Sequence, residues 1–126
     1  MAVVKDIVID GKPVKFRASA AIPRIYRNKF RRDIFKDLTA LEAAVDGAEP
    51  GKANLDLISL EVFENIAYTM AKHADPQNVP DSADEWLDQF NTFSIYEVLP
   101  QLIELWGINM EQEVESKKHA AALTAR

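Results

Sequence analysis

The sequence predicts a mainly α protein, a compact helical domain with an N-terminal β-hairpin and a polar C-terminal helical tail. Apolar residues alternate around an Asp-Gly pair near the N-terminus, which indicates a hairpin. From residue 19 onward they recur at spacings of three and four, the helical period. After residue 110 the composition turns polar. We therefore expect one domain over residues 1–110 and a polar, mobile tail over 111–126.

The hairpin is predicted over residues 3–17. Asp10-Gly11 suits a type I′ turn, which needs a positive φ at both central positions. Pro13 cannot donate a ladder hydrogen bond, so its strand should lie at a sheet edge. A lone hairpin is only marginally stable in water, so this one must pack on the helices or on another chain. Its predicted apolar face consists of Ile7, Ile9, Val14 and Phe16.

The helices are predicted over residues 20–108. Pro23 suits the first turn of the first helix, where its missing N–H has no intrahelical partner. A bend is expected near Arg32, because Asp33 could cap a second segment. One apolar stripe runs through both segments: Ile25, Tyr26, Phe30, Ile34, Leu38 and Leu41.

A further helix is predicted over residues 55–74, after a loop over 46–52. Asp75-Pro76 should end it. Its apolar residues, predicted to form a core stripe, are Leu57, Leu60, Val62, Phe63, Ile66, Met70 and Ala74.

Two Ser-x-x-Glu patterns, at Ser82 and at Ser94, predict the starts of the last two helices. Pro100 lies past the first turn of the second one, which predicts a kink or a later start. Gly107 is predicted to end that helix.

Composition excludes several classes of protein. The chain of 126 residues is 48% hydrophobic and 28% charged, which is typical of one soluble domain with its own core. It has no cysteine, so disulfides, thiol nucleophiles and thiolate metal sites are excluded. Neither a signal peptide nor a run of roughly 18 apolar residues is recognisable, and we expect a cytoplasmic protein that does not bind membranes.

Catalytic and cofactor-binding groups are scarce. His73 and His119 are the only histidines, and no pair of residues stands out as a base and a nucleophile. There is no metal-ligand spacing of a known kind and no glycine-rich phosphate loop. We therefore expect no enzyme activity and no cofactor.

The formal charge of −5 is unevenly distributed. Residues 1–36 carry a net +7, residues 37–116 a net −15, and the last ten a net +3. The basic segment 24–36 contains Tyr26 and Phe30 among its arginines, so nucleic-acid binding is an alternative function. The aromatic pair shares the apolar stripe, however, and an acidic remainder repels phosphates, so we expect nucleic acid to be an unlikely partner.

Aromatic residues cluster between Trp86 and Trp106, and they either fill the core or, in an exposed subset, anchor a partner. Aromatic and arginine side chains dominate protein-binding hot spots, so they are the candidates for a partner-binding surface. The candidate residues are Arg24, Arg27, Tyr26, Phe30, Trp86, Phe90, Phe93 and Trp106.

Several stretches together resemble the tail assembly chaperones of long-tailed phages and prophages of Gram-positive bacteria. The resemblance covers roughly residues 3–110 and lies in the order and spacing of its parts. At the positions of Ile22 and Arg31 the family commonly has Thr and Gly, and Ile22 cannot cap a helix with its side chain. The stretches are Phe16-Arg17-Ala18-Ser19-Ala20-Ala21-Ile22-Pro23-Arg24-Ile25-Tyr26-Arg27, Phe30-Arg31-Arg32-Asp33-Ile34, Lys36-Asp37-Leu38, Ala67-Tyr68-Thr69-Met70-Ala71-Lys72, Glu85-Trp86-Leu87-Asp88-Gln89-Phe90 and Leu105-Trp106-Gly107.

The resemblance implies a protein that coats the tape measure protein in the host cytoplasm and keeps it soluble. It also implies recruitment of tail tube subunits through a frameshifted longer form, and absence from the mature virion. Because such a protein must cover a repetitive partner, a homo-oligomer is expected.

Overall fold

In the computed structural model, residues 3–45 and 56–107 are described, and they form a hairpin followed by helices. The described elements are strands β1 (Val3–Ile9) and β2 (Lys12–Ala18), and helices α1 (Ile22–Phe30), α2 (Ile34–Val45), α3 (Leu57–Ala74), α4 (Ala83–Leu87) and α5 (95–107). The predicted mainly helical domain with an N-terminal hairpin is confirmed. The predicted loop over 46–52 and the tail over 111–126 lie outside the described residues.

The hairpin has the predicted turn. β1 and β2 are antiparallel, with Ile9 opposite Lys12 and only Asp10 and Gly11 between them. The φ angles of Asp10 and Gly11 are 55° and 77°, as a type I′ turn requires. The two residues that flank such a turn, here Ile9 and Lys12, exchange backbone hydrogen bonds, whereas the next pair, which contains Pro13, does not. The nitrogen of Pro13 therefore faces the outer edge of β2.

One face of the hairpin is buried and the other is exposed. The buried face carries Ile7, Ile9, Phe16 and Ala18, and α3 packs against β2. Lys5 Nζ lies 3.2 Å from a carboxylate oxygen of Glu104 in α5. The opposite face exposes Val4 and Val8.

The predicted bend near Arg32 separates α1 from α2. α1 ends at Phe30, and Arg31 has a left-handed backbone, with φ 58° and ψ 38°. Its N–H donates to the carbonyl of Arg27 at 2.8 Å. Asp33 Oδ1 accepts from the N–H of Phe35 at 2.9 Å, which caps the start of α2.

The end of α3 at Ala74, before Asp75-Pro76, agrees with the prediction, and capping side chains mark the starts of α3 and α4. Asp56 Oδ1 accepts from Ser59 N–H at 2.7 Å, and Ser82 Oγ accepts from Glu85 N–H at 3.1 Å. α5 begins at residue 95 and continues through Pro100. The later helix start, one of the two alternatives predicted from Pro100, was therefore wrong. Gly107 is still helical and has no positive φ, so it does not end the helix as a left-handed cap.

The core is centred on Trp86, which is 2% exposed. The rings of Phe16, Tyr68, Phe90 and Phe93 surround it, with centroids 5.4–6.3 Å from its own. One predicted core residue of α3 is misplaced, since Leu60 is 36% exposed. Trp86 therefore joins α4 to the hairpin and to α3.

Candidate partner-binding cleft

A cleft of about 440 Å³ opens where α1 turns into α2. The left-handed residue Arg31 reverses the chain there, so side chains from both helices face the same space. The lining residues are Pro23, Arg27, Arg31, Arg32, Asp33, Ile34 and Phe35.

A buried carboxylate fixes one wall of the cleft. Arg32 donates to both oxygens of Asp37, from Nε to Oδ2 at 2.8 Å and from Nη2 to Oδ1 at 2.9 Å. The hydroxyl of Tyr26 donates to Oδ2 at 2.7 Å. This network ties α1 and α2 together across the bend, and it neutralises the charge of Arg32.

Protonation states in this network follow from its hydrogen bonds. Burial alone would raise the pKa of Asp37, but the hydrogen bonds from Arg32 and Tyr26 outweigh it and hold that pKa below its ordinary value. Burial and the neighbouring Asp37 raise the pKa of Tyr26, so its hydroxyl stays a neutral donor. Asp37 is therefore a carboxylate and Tyr26 a phenol at neutral pH.

Arg24 and Arg27 in α1, and Arg31 just after it, face solvent. Arg24 and Arg27 are three residues apart on one face of α1, and Arg31 follows Arg27 by four residues. No hydrogen bond or ion pair joins their guanidinium groups to the residues that the structure describes. Lys29 lies on another side of α1, where its Nζ is 4.7 Å from the centre of the Tyr68 ring. The cleft therefore presents unpaired positive charge from Arg27 and Arg31.

An aromatic side chain supplies the apolar part of the cleft. Phe35 is 45% exposed and packs edge-on against Trp106, with ring centroids 5.6 Å apart. Trp106 itself is 8% exposed. A ligand in the cleft would therefore touch the Phe35 ring, with Trp106 supporting it from α5.

The candidate binding residues divide into exposed, half-buried and buried groups. Arg24 and Arg27 are exposed, whereas Tyr26, Trp86 and Trp106 are core residues at 0%, 2% and 8% exposure. A partner-binding role for these three does not fit their burial, and the predicted surface is corrected accordingly. The half-buried candidates are Phe30, which packs on Tyr26, and Phe90 and Phe93, which stack with centroids 6.0 Å apart.

The fold also produces a serine–histidine contact that the sequence did not suggest. Ser19 Oγ lies 3.1 Å from His73 Nε2 and accepts from the N–H of Ala21 at 3.3 Å. Burial, and then the charge of Arg17, lower the pKa of His73, so the imidazole is neutral at neutral pH. Among the described residues no carboxylate hydrogen-bonds this imidazole, as the orienting acid of a serine triad does. The contact joins the start of α1 to the end of α3.

No family model, curated protein or solved structure matches this chain. Within residues 3–45 and 56–107, no three His, Asp or Glu side chains are grouped so that they could hold a metal ion. In the same residues no helix has the length and apolar character to cross a membrane.

Proposed function

We propose that this protein is a non-enzymatic chaperone of phage tail assembly, which binds and solubilises the tape measure protein and helps to recruit tail tube subunits. The observation that carries the proposal is the backbone of Arg31. The resembled family commonly has Gly at this position, and glycine is the residue that adopts a left-handed conformation without strain. Arg31 has φ 58°, so this chain keeps the conformation that the glycine would allow.

The resemblance also agrees with the local architecture. Its N-terminal stretches, residues 16–27, 30–34 and 36–38, occupy the end of β2, α1, the left-handed turn and the start of α2. Of these elements, α1, the turn and the start of α2 form the cleft with unpaired arginines and an exposed phenylalanine. Arginine and aromatic side chains are enriched where proteins bind proteins, which favours a binding role for this region.

The proposal includes assembly into homo-oligomers in the host cytoplasm, recruitment of tail tube protein by a frameshifted longer form, and absence from the mature virion. The hairpin offers a surface for self-association. Val4 and Val8 are 52% and 62% exposed on its outer face, and β1 pairs only with β2 among the described residues.

Co-expression with the tape measure protein tests the proposal. We expect the tape measure to become soluble and to elute together with this chain in size-exclusion chromatography. Expression of the tape measure alone is the control. A tape measure that stays insoluble beside an abundant, soluble copy of this chain would contradict the proposal.

The alternative function is nucleic-acid binding by the basic segment 24–36. The unpaired guanidinium groups of Arg24, Arg27 and Arg31 favour it, since cations along one face can contact successive phosphates. Tyr26 is fully buried and cannot stack on a base. This alternative predicts oligonucleotide binding that weakens steeply with salt and is lost in an R24E/R27E/R31E variant.

A further inference from the structure

We infer that the cleft between α1 and α2 recognises an acidic peptide segment that presents two carboxylates about 6 Å apart beside one large apolar side chain. The inference rests on the proposed function, because it names the chemistry by which a tail protein would be held. It concerns Arg27, Arg31 and Phe35, whose arrangement no part of the resemblance specifies.

Charge and spacing determine the first part of the ligand. The N–H of Arg31, just after α1, donates to the carbonyl of Arg27, so the two residues lie about one helical turn, roughly 6 Å, apart. Both side chains are exposed, and neither is paired with a described residue. Arginine binds carboxylates through two parallel hydrogen bonds, so each guanidinium group can take one acidic side chain. Two glutamates four residues apart in a helix have the matching separation.

Phe35 determines the second part. Its ring is held against Trp106 and still leaves 45% of the residue exposed at the cleft. Pro23 adds further apolar surface to the lining. A leucine or phenylalanine of the ligand would cover the Phe35 ring and remove apolar area from water.

The same lining favours a peptide over a nucleic acid. Asp37 pairs with Arg32, so two of the three arginines that line the cleft, Arg27 and Arg31, remain for a ligand. Two cations suit two carboxylates better than the longer run of phosphates along a nucleic acid. The Phe35 ring contacts Trp106 edge-on, which leaves no pair of exposed rings to stack bases. A volume of about 440 Å³ fits a few side chains of a partner.

Fluorescence anisotropy with labelled alanine-based helical peptides tests this inference on the full chain. The probe carries two glutamates four residues apart and a leucine one turn from the second glutamate. We expect binding that weakens by about tenfold or more when glutamine replaces both glutamates, since each exposed charge pair contributes up to about fivefold. Replacement of the leucine by alanine should also weaken binding.

Charge reversal identifies the protein side of the contact. An R27E/R31E variant should no longer bind the acidic probe, and it should gain affinity for the same peptide with lysine in place of glutamate. The matched control is K12E/K15E, which makes the same change of charge on the hairpin, and it should bind the acidic probe within about twofold of the wild type. Equal loss in both variants, or full displacement of the probe by a single-stranded oligonucleotide, would overturn the inference.

A second variant separates binding from folding. Arg31→Gly removes one guanidinium group while it relieves a left-handed backbone, so binding should weaken without loss of stability. Unchanged binding in this variant would overturn the role of Arg31.

The cleft inference and the proposed function fail in different ways. If the R27E/R31E chain solubilises the tape measure as well as the wild type does, the function stands and the cleft inference is wrong. If the wild type does not solubilise the tape measure either, the proposed function fails whatever the peptides bind.

Discussion

The hydroxyl of Tyr26 donates a 2.7 Å hydrogen bond to Oδ2 of Asp37 across the bend between α1 and α2. Both groups are buried, with 0% and 7% exposure. The carboxylate would carry an unsatisfied lone pair in a dry environment without this donor, even though Arg32 occupies its other positions. This contact therefore stabilises the packing of α1 against α2 across the bend that shapes the cleft.

Removal of the hydroxyl group of Tyr26 should destabilise the protein. Tyr26→Phe keeps the ring in place and leaves Asp37 without one donor, so we expect the free energy of unfolding to fall by about 1–2 kcal/mol in chemical denaturation. In a double-mutant cycle with Asp37→Ala, which removes both acceptor oxygens, the two losses should not add, because both variants remove the same contact. Additive losses would show that the hydrogen bond contributes little.

Glycine substitutions at Arg31, just after α1, and at Arg27, within α1, should have opposite effects on the free energy of unfolding. Arg31→Gly relieves a positive φ, so we expect the free energy of unfolding to rise by about 0.5 kcal/mol, the strain relieved being partly offset by greater freedom of the unfolded chain. Arg27→Gly, within the helix, should lower it by about 1 kcal/mol. Thermal and chemical denaturation measure both, and a loss of stability in Arg31→Gly would contradict the first expectation.

A pair of alanine substitutions tests the hairpin turn. Gly11 has φ 77°, and Gly11→Ala should cost about 1 kcal/mol although no atom obstructs a new Cβ. Gly107 is helical and also has open space around a new Cβ, so Gly107→Ala should be neutral or stabilising by up to about 1 kcal/mol. Equal effects of both changes would argue against a type I′ turn.

His73 should make stability depend on pH. Burial, and then the charge of Arg17, lower its pKa in the folded state, so the unfolded chain binds the proton more tightly. The contribution of His73 is fully present above its unfolded pKa near 6.5 and is lost as the pH falls through the folded value. His73→Gln cannot be protonated and keeps a polar group toward Ser19.

Denaturation of the wild type and of His73→Gln at about pH 8 and about pH 5 measures this contribution. The drop in free energy of unfolding on acidification should be smaller in the variant. Asp37 and other carboxylates with lowered pKa lose stability on acidification in both proteins, so only the difference between the two proteins is informative. The same drop in both would show that His73 does not titrate differently on folding.

Local signals in the sequence were sufficient for the hairpin and for several helix starts. Asp10-Gly11 determines its turn through the φ angles of two adjacent residues, and Asp33 and Ser82 cap helices whose N–H groups lie two or three residues away. These interactions involve neighbours in the chain. Periodicity and turn chemistry can therefore predict them.

The cleft could be predicted only in part. The sequence indicated Arg27 as a partner-binding residue, but Phe35 is not on the apolar stripe of α2, and its contact with Trp106 spans 71 positions of the chain. The same limit applies to burial. Residue type made Trp86 and Trp106 candidates for either the core or a binding surface, and only the packing of α4 and α5 on the rest of the fold shows that both are covered. The Ser19–His73 contact, 54 positions apart, is equally beyond a local pattern.

The packing of Trp106 beneath Phe35 gives the protein an optical reporter at the cleft. The chain has two tryptophans, one at the centre of the core and one within 5.6 Å of the ring that a ligand would cover. Trp86 senses the loss of the whole core, whereas Trp106 is placed to respond to a displacement of Phe35. Fluorescence of the unlabelled protein can thus distinguish occupancy of the cleft from unfolding.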